Sequence, residues 1–81
     1  MQDEIKRYIV VPNRSLNGSA GDLAAFIAAA RSAGVTELEV VPKEGEPKRA
    51  IVHCLAATME SLRSHYGERL NVELDQPLEL L

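Results

Sequence analysis

The sequence predicts a small α+β domain in which one four-stranded sheet carries two helices. Short runs rich in β-branched residues alternate with segments whose apolar residues recur at helical spacing. The length of 81 residues allows one modest hydrophobic core and no second one. Apolar residues make up 46% of the chain and charged residues 26%, proportions that are typical of a globular rather than a disordered protein.

The first strand and the first helix carry the clearest local signals. Residues 5–11 are rich in β-branched and aromatic residues and precede a Pro-Asn turn, so they predict a central strand. Ser19 stands as an N-cap with Asp22 three residues later, and Gly34 is the expected residue just past a helix end. Between them, four apolar residues recur at helical spacing: Leu23, Phe26, Ile27 and Ala30.

The second half of the chain predicts two more strands, a helix and a last strand. Residues 35–41 alternate apolar and acidic side chains. After a polar turn, the run 48–55 alternates Ala50, Val52 and Cys54 with Arg49, Ile51, His53 and Leu55, so the two runs should pair as a hairpin. Thr58 is predicted to cap a second helix that ends near Gly67, and residues 70–74 form the fourth strand. The apolar stripe of the second helix is Met59, Leu62 and Tyr66.

This order of elements favours one topology. Strand, helix, strand, strand, helix, strand closes most simply as a ferredoxin-like βαββαβ fold, a four-stranded antiparallel sheet with both helices on one face. The first and third strands should be central, and the second and fourth should be edges. The chain then divides into a body, residues 1–74, and an extended C-terminal tail, residues 75–81.

Composition and charge argue against several classes of partner. Nine Lys and Arg against twelve Asp and Glu give a net charge of −3, so the basic footprint that nucleic acid requires is missing. No apolar run approaches the roughly 20 residues that cross a bilayer, which argues against a membrane protein. The acidic N-terminus does not read as a signal sequence, so we expect the chain as given to stay in the cytoplasm, or to be secreted if it is excised from a zymogen.

The inventory of reactive side chains argues against an enzyme. His53 and Cys54 are adjacent on a predicted strand, so their side chains should point to opposite faces and cannot act together. His65 reads as part of a solvated helix face. The sequence contains no glycine-rich phosphate loop and no metal-ligand spacing, so we expect neither a cofactor nor a metal site.

The end of the chain is its most unusual part. Pro77 disfavours helical geometry before it, and three leucines follow within the last four residues, so the tail should leave the body extended. Glu73 and Asp75 lie two residues apart on an extended segment, so both carboxylates should face the same way. Such a pair could cap helix N-termini on another protein, or it could simply keep an edge strand soluble.

These residues resemble a known family. The stretch from Ala56 to Leu81, with its Val-Glu-Leu-Asp segment at 72–75, resembles the end of the propeptide inhibitor domains of subtilisin-like serine proteases. In that family a Glu-x-Asp pair is followed by six residues up to the processing site, and six residues follow Asp75 here. The Tyr-Ile-Val-Val run at 8–11 is similar to the first strand of the family. The chain departs from the family at 53–56, where His-Cys-Leu-Ala replaces a Gly-Phe-type step.

The resemblance implies an inhibitor, and a folding chaperone, of a subtilisin-like serine protease. The open face of the sheet would dock on the protease, with Glu73 and Asp75 capping two of its helices. The tail would occupy the substrate cleft as a product does, with Leu81 in the primary specificity pocket and Leu78 in the pocket three residues upstream. Between these two leucines lie Glu79 and Leu80. The free domain is expected to be a monomer.

Two other functions fit the same predicted fold. One is a regulatory domain that binds a small molecule, similar to amino-acid-sensing domains, with a ligand loop at residues 12–18 and Arg14 as the anchor for an anion. The other is a structural subunit that uses an exposed sheet face only for assembly.

Overall fold

The computed structural model describes residues 4–75, which form one sheet and two helices in the predicted order. β1 is followed by a short 3-10 turn, α1, β2, β3, α2, a second 3-10 turn and β4. Their bounds are β1 Ile5–Pro12, the first turn Arg14–Leu16, α1 Ala20–Ser32, β2 Glu37–Val41, β3 Arg49–Leu55, α2 Ala56–Ser64, the second turn Gly67–Arg69 and β4 Leu70–Leu74.

The sheet has the predicted topology. Its strands are all antiparallel and lie in the order β2-β3-β1-β4, so β1 and β3 are central and β2 and β4 are edges. This is a ferredoxin-like arrangement. Ile9 of β1 lies opposite Ile51 of β3 on one side and opposite Glu73 of β4 on the other. Ile51 in turn lies opposite Glu39 of β2.

Both helices pack on the same face of the sheet. Because successive strand residues point to opposite faces, alternate residues of β1 and β3 are buried while those between them are not. The buried face and the two helices share one hydrophobic core. In this core the rings of Phe26 and Tyr66 pack edge to face, with their centroids 5.9 Å apart. The core consists of Tyr8, Val10, Leu23, Phe26, Ile27, Ala30, Ala50, Val52, Cys54, Met59, Leu62 and Leu70.

The start of α1 confirms the predicted cap. The Ser19 hydroxyl accepts a hydrogen bond from the Asp22 backbone N–H at 3.2 Å. In return, Asp22 Oδ2 accepts one from the Ser19 backbone N–H at 3.0 Å. This reciprocal pair satisfies two N–H groups that the helix leaves without an internal partner.

The prediction that Thr58 caps α2 is wrong. The helix begins at Ala56, directly after β3, and its N-cap is Leu55, which makes no side-chain cap hydrogen bond. Thr58 lies inside the helix. Met59 and Leu62 are both buried in the core, so we attribute the early start to tertiary packing of this stripe, which outweighs a local cap signal.

The connection between β1 and α1 is fastened to the segment before β4. The Asn13 N–H donates to the Arg69 carbonyl at 2.8 Å, and the Gly18 N–H donates to the Asn13 carbonyl at 2.8 Å. Arg69 Nη1 also lies 3.0 Å from Asp22 Oδ1 at the start of α1. The loop is thus closed by backbone hydrogen bonds and one ion pair.

Candidate functional site

The sheet face opposite the helices is the candidate site. It is formed by the strand residues that alternate with the core residues, and within residues 4–75 no helix covers it. Its apolar side chains are half-buried or exposed, and Ile5 is 52% exposed. They are Ile5, Ile9, Val11, Val41, Ile51 and Leu55.

One cross-strand row of this open face holds a histidine–carboxylate contact and an ion pair. His53 Nδ1 of β3 lies 2.9 Å from Glu37 Oε1 of β2. Arg7 Nη1 of β1 lies 2.8 Å from Asp75 Oδ2, just past β4. Because Arg7 is the cross-strand neighbour of His53, the row places two basic groups in the middle of the sheet and an acidic group at each edge.

The next row has an apolar centre and acidic ends. It runs Glu39, Ile51, Ile9, Glu73 across the four strands. Glu39 and Glu73 are exposed, and neither forms an ion pair with another residue of the described range 4–75. We call these four residues the Glu-Ile-Ile-Glu row. The two isoleucines offer apolar surface that a partner can bury. The two glutamate carboxylates beside them are free to accept hydrogen bonds from the same partner.

The end of β4 is held by Arg7 at two points. The Asp75 N–H donates to the Arg7 carbonyl oxygen at 2.8 Å, and the Asp75 carboxylate pairs with the Arg7 guanidinium. The side chains of Arg7 and Asp75 are 49% and 31% exposed. Asp75 and Glu73 thus extend from the same edge strand on the open face, as the sequence predicts. The predicted cleft residues Leu78, Glu79, Leu80 and Leu81 lie outside the described residues.

The reactive side chains are separated as the sequence predicts. His53 lies on the open face and Cys54 lies in the core, where it is 2% exposed. Burial raises the pKa of the Cys54 thiol, so the reactive thiolate is disfavoured. Within residues 4–75, no group of three His, Cys, Asp or Glu side chains could hold a metal ion. The helices of the same range are too short or too polar to cross a membrane.

The predicted ligand loop is a compact turn. Arg14 begins the 3-10 turn and is exposed, and the Asn17 N–H donates to the Arg14 carbonyl at 3.4 Å. The loop lies against Arg69 through Asn13, as described above. Among residues 4–75, none forms an ion pair with Arg14.

Sequence reasoning missed the contact between Arg7 and Asp75. The two residues are 68 positions apart, and only the register of β1 with β4 brings them together. The sequence did contain one signal. Side chains alternate between the two faces of a strand, so Arg7 lies on the same face of β1 as Ile9. This alternation predicts the face on which Arg7 lies, but its contact with Asp75 can be predicted only when the pairing of β1 with β4 is known.

Comparison with protein-family models, with curated proteins and with solved structures finds no match to this chain. The function is therefore argued from the open face, from its charges and from the residues that carry the family resemblance.

Proposed function

We propose that this domain inhibits a subtilisin-like serine protease and assists its folding. The open face of the sheet docks on the protease, and the C-terminal tail lies in the substrate cleft. One observation carries the proposal: within residues 4–75 the helices cover one face of the sheet only, and the edge strand β4 continues at Asp75 into the tail segment of the sequence.

The open face supplies both burial and electrostatic complementarity. Ile9 and Ile51 form its apolar centre, and burying such side chains against a partner is favourable by about 25 cal/mol per Å² of apolar surface. The carboxylates of Glu73 and Asp75 face the same partner. They are suited to the N-termini of surface helices, where unpaired N–H groups and the helix dipole favour an anion. Asp75 can serve a helix and Arg7 together, because an ionised carboxylate has about four acceptor positions.

The tail gives the proposed inhibition its mechanism. The six residues after Asp75 are added to the cleft as a β-strand, with Leu81 in the primary specificity pocket and Leu78 in the pocket three residues upstream. The C-terminal carboxylate of Leu81 stands where a cleaved acyl product stands, with one oxygen near the oxyanion hole. The protease then holds a product-like peptide that offers no bond to cut. Pro77 lowers the cost of ordering the tail because its ring restricts the free chain.

The same surface accounts for assistance in folding. A domain that binds the native protease and not its unfolded chain shifts the folding equilibrium towards the native protease by mass action. This role needs the open face more than it needs the tail. Removing the tail should therefore weaken inhibition far more than it weakens assisted refolding.

The test is an inhibition assay with a panel of subtilisin-like proteases. The full chain should inhibit at least one of them, and deletion of residues 78–81 should raise the inhibition constant by about a hundredfold or more, since two pocket-filling leucines are lost. Circular dichroism and the thermal midpoint should be unchanged by the deletion. Leu16→Ala is the matched control, because Leu16 is 44% exposed on the turn after β1 and is not a residue of the sheet face.

Two results would contradict the proposal. A full chain that inhibits no member of the panel would remove it, as would a truncated chain that inhibits equally well. A concentration-dependent dimer that is abolished by Ile51→Arg would instead identify the open face as an assembly surface. A thermal shift with small amino acids or anions that disappears in Arg14→Ala would favour the regulatory domain.

A further inference from the structure

Arg7 is the residue through which the body holds the start of the tail. Its backbone carbonyl accepts the Asp75 N–H at 2.8 Å, and its guanidinium lies 2.8 Å from Asp75 Oδ2. β4 itself ends at Leu74, so this contact extends the attachment one residue beyond the last strand residue. Within residues 4–75, Arg7 and Asp75 each form this one ion pair only.

Attachment at two points restrains direction as well as position. A single backbone hydrogen bond lets the following chain turn about the end of the strand, whereas a second contact through the side chain opposes that rotation. Six extended residues can reach about 20 Å, at roughly 3.3–3.6 Å per residue, so a small rotation at Asp75 displaces the chain end by several ångströms. Restraint at the base raises the effective concentration of the tail where the cleft would be.

We propose that Arg7 is a positioning residue that sets the direction in which the tail leaves the sheet. By doing so, it increases the contribution of the tail to the affinity for the protease. This inference rests on the proposed function. Arg7 acts through Asp75 and need not touch the protease. Its guanidinium is suited to this role because it is planar, always charged and rigid in the geometry of its donors.

The experiment combines substitutions at Arg7 with removal of the tail. Arg7→Gln should weaken inhibition by the full chain about three- to fivefold, the upper range for an exposed ion pair. In the chain that lacks residues 78–81, the same substitution should leave the residual binding unchanged. Arg7→Lys should restore part of the loss, and Arg7→Gln should have no further effect in an Asp75→Asn chain. Arg31→Gln is the matched control, since it removes the same charge from the last turn of α1, away from the open face, and Arg31 is exposed and forms no ion pair with the residues of range 4–75.

A second readout needs no protease. Amide hydrogen exchange at Asp75 should become faster in Arg7→Gln and not in Arg31→Gln. Equal losses of binding with and without the tail would overturn the inference, because Arg7 would then contact the protease directly. Unchanged inhibition and unchanged exchange in Arg7→Gln would also overturn it. If the wild-type chain inhibits nothing, the proposed function fails, and the exchange at Asp75 still decides whether Arg7 holds the end of β4.

Discussion

Gly18→Ala tests the closure of the loop between β1 and α1. A methyl group on Gly18 would overlap the Arg69 carbonyl oxygen and would lie 2.6 Å from the Asn13 nitrogen and 2.8 Å from its oxygen. All three atoms belong to the backbone, so no side chain can turn away to make room. The loop must move, and the hydrogen bonds that join Asn13 to Arg69 and Gly18 to Asn13 are then stretched or lost.

The expected cost is a large part of the domain's stability. Overpacking costs about 1–3 kcal/mol, and two hydrogen bonds add about 1 kcal/mol each, for a total of about 3–5 kcal/mol. A domain of this size is stable by about 4–12 kcal/mol, so the thermal midpoint should fall by at least about 12 °C.

The assay is urea denaturation monitored by circular dichroism, with Gly21→Ala as the matched control. Gly21 lies in the first turn of α1, and a methyl group there would meet only the Ser19 hydroxyl at an ordinary 3.5 Å. Gly21→Ala should therefore stabilise the domain, by up to about 1 kcal/mol. A Gly18→Ala protein within about 0.5 kcal/mol of wild type would refute the reasoning, because such a result is typical of an unconstrained surface position.

Three other predictions concern stability. Ser19→Ala should cost about 1 kcal/mol in urea denaturation, since it removes the hydroxyl that caps α1, and a loss below about 0.3 kcal/mol would contradict the capping role. Phe26→Ala should lower the free energy of unfolding by about 3–5 kcal/mol because Phe26 is fully buried. Ile5→Ala on the open face should change it by no more than about 0.5 kcal/mol, and equal costs would mean that the open face is part of a core. Burial raises the pKa values of Cys54 and Tyr8, so the unfolded chain loses these protons at a lower pH than the folded chain does. The stability that these two groups contribute should be constant below about pH 8 and should fall as the pH rises through the ordinary thiol pKa of 9.0, with a shallower fall in Cys54→Ala.

The sequence predicted the fold well because its signals were local and repeated. The alternation in β2 and β3 identified the hairpin, the β-branched residues of β1 identified a central strand, and the Ser19 cap with its apolar stripe identified α1. The start of α2 was mispredicted because Thr58 is a good local cap, whereas the position of the helix depends on where Met59 and Leu62 meet the sheet. That depends on packing over long sequence distances, which a single sequence does not specify.

The candidate site was predictable in outline and not in its pairings. Period-two alternation placed Glu73 on an exposed face without any knowledge of its neighbours. Its position in line with Glu39 depends on the registers of three strand pairs, and the hold of Arg7 on Asp75 depends on one of them. A shift of one residue in any of these three registers would move the side chains of the shifted strand to the opposite face of the sheet.

The Glu-Ile-Ile-Glu row reads the same from either edge of the sheet. A partner that recognised only these four side chains would find two orientations, related by a half-turn, nearly equivalent in energy. Any feature that lies on one side of the row distinguishes the two orientations, and the strand that continues past Leu74 at one edge is such a feature. If the tail fills a cleft as proposed, it would also favour one of the two orientations in which this row can be placed on a partner.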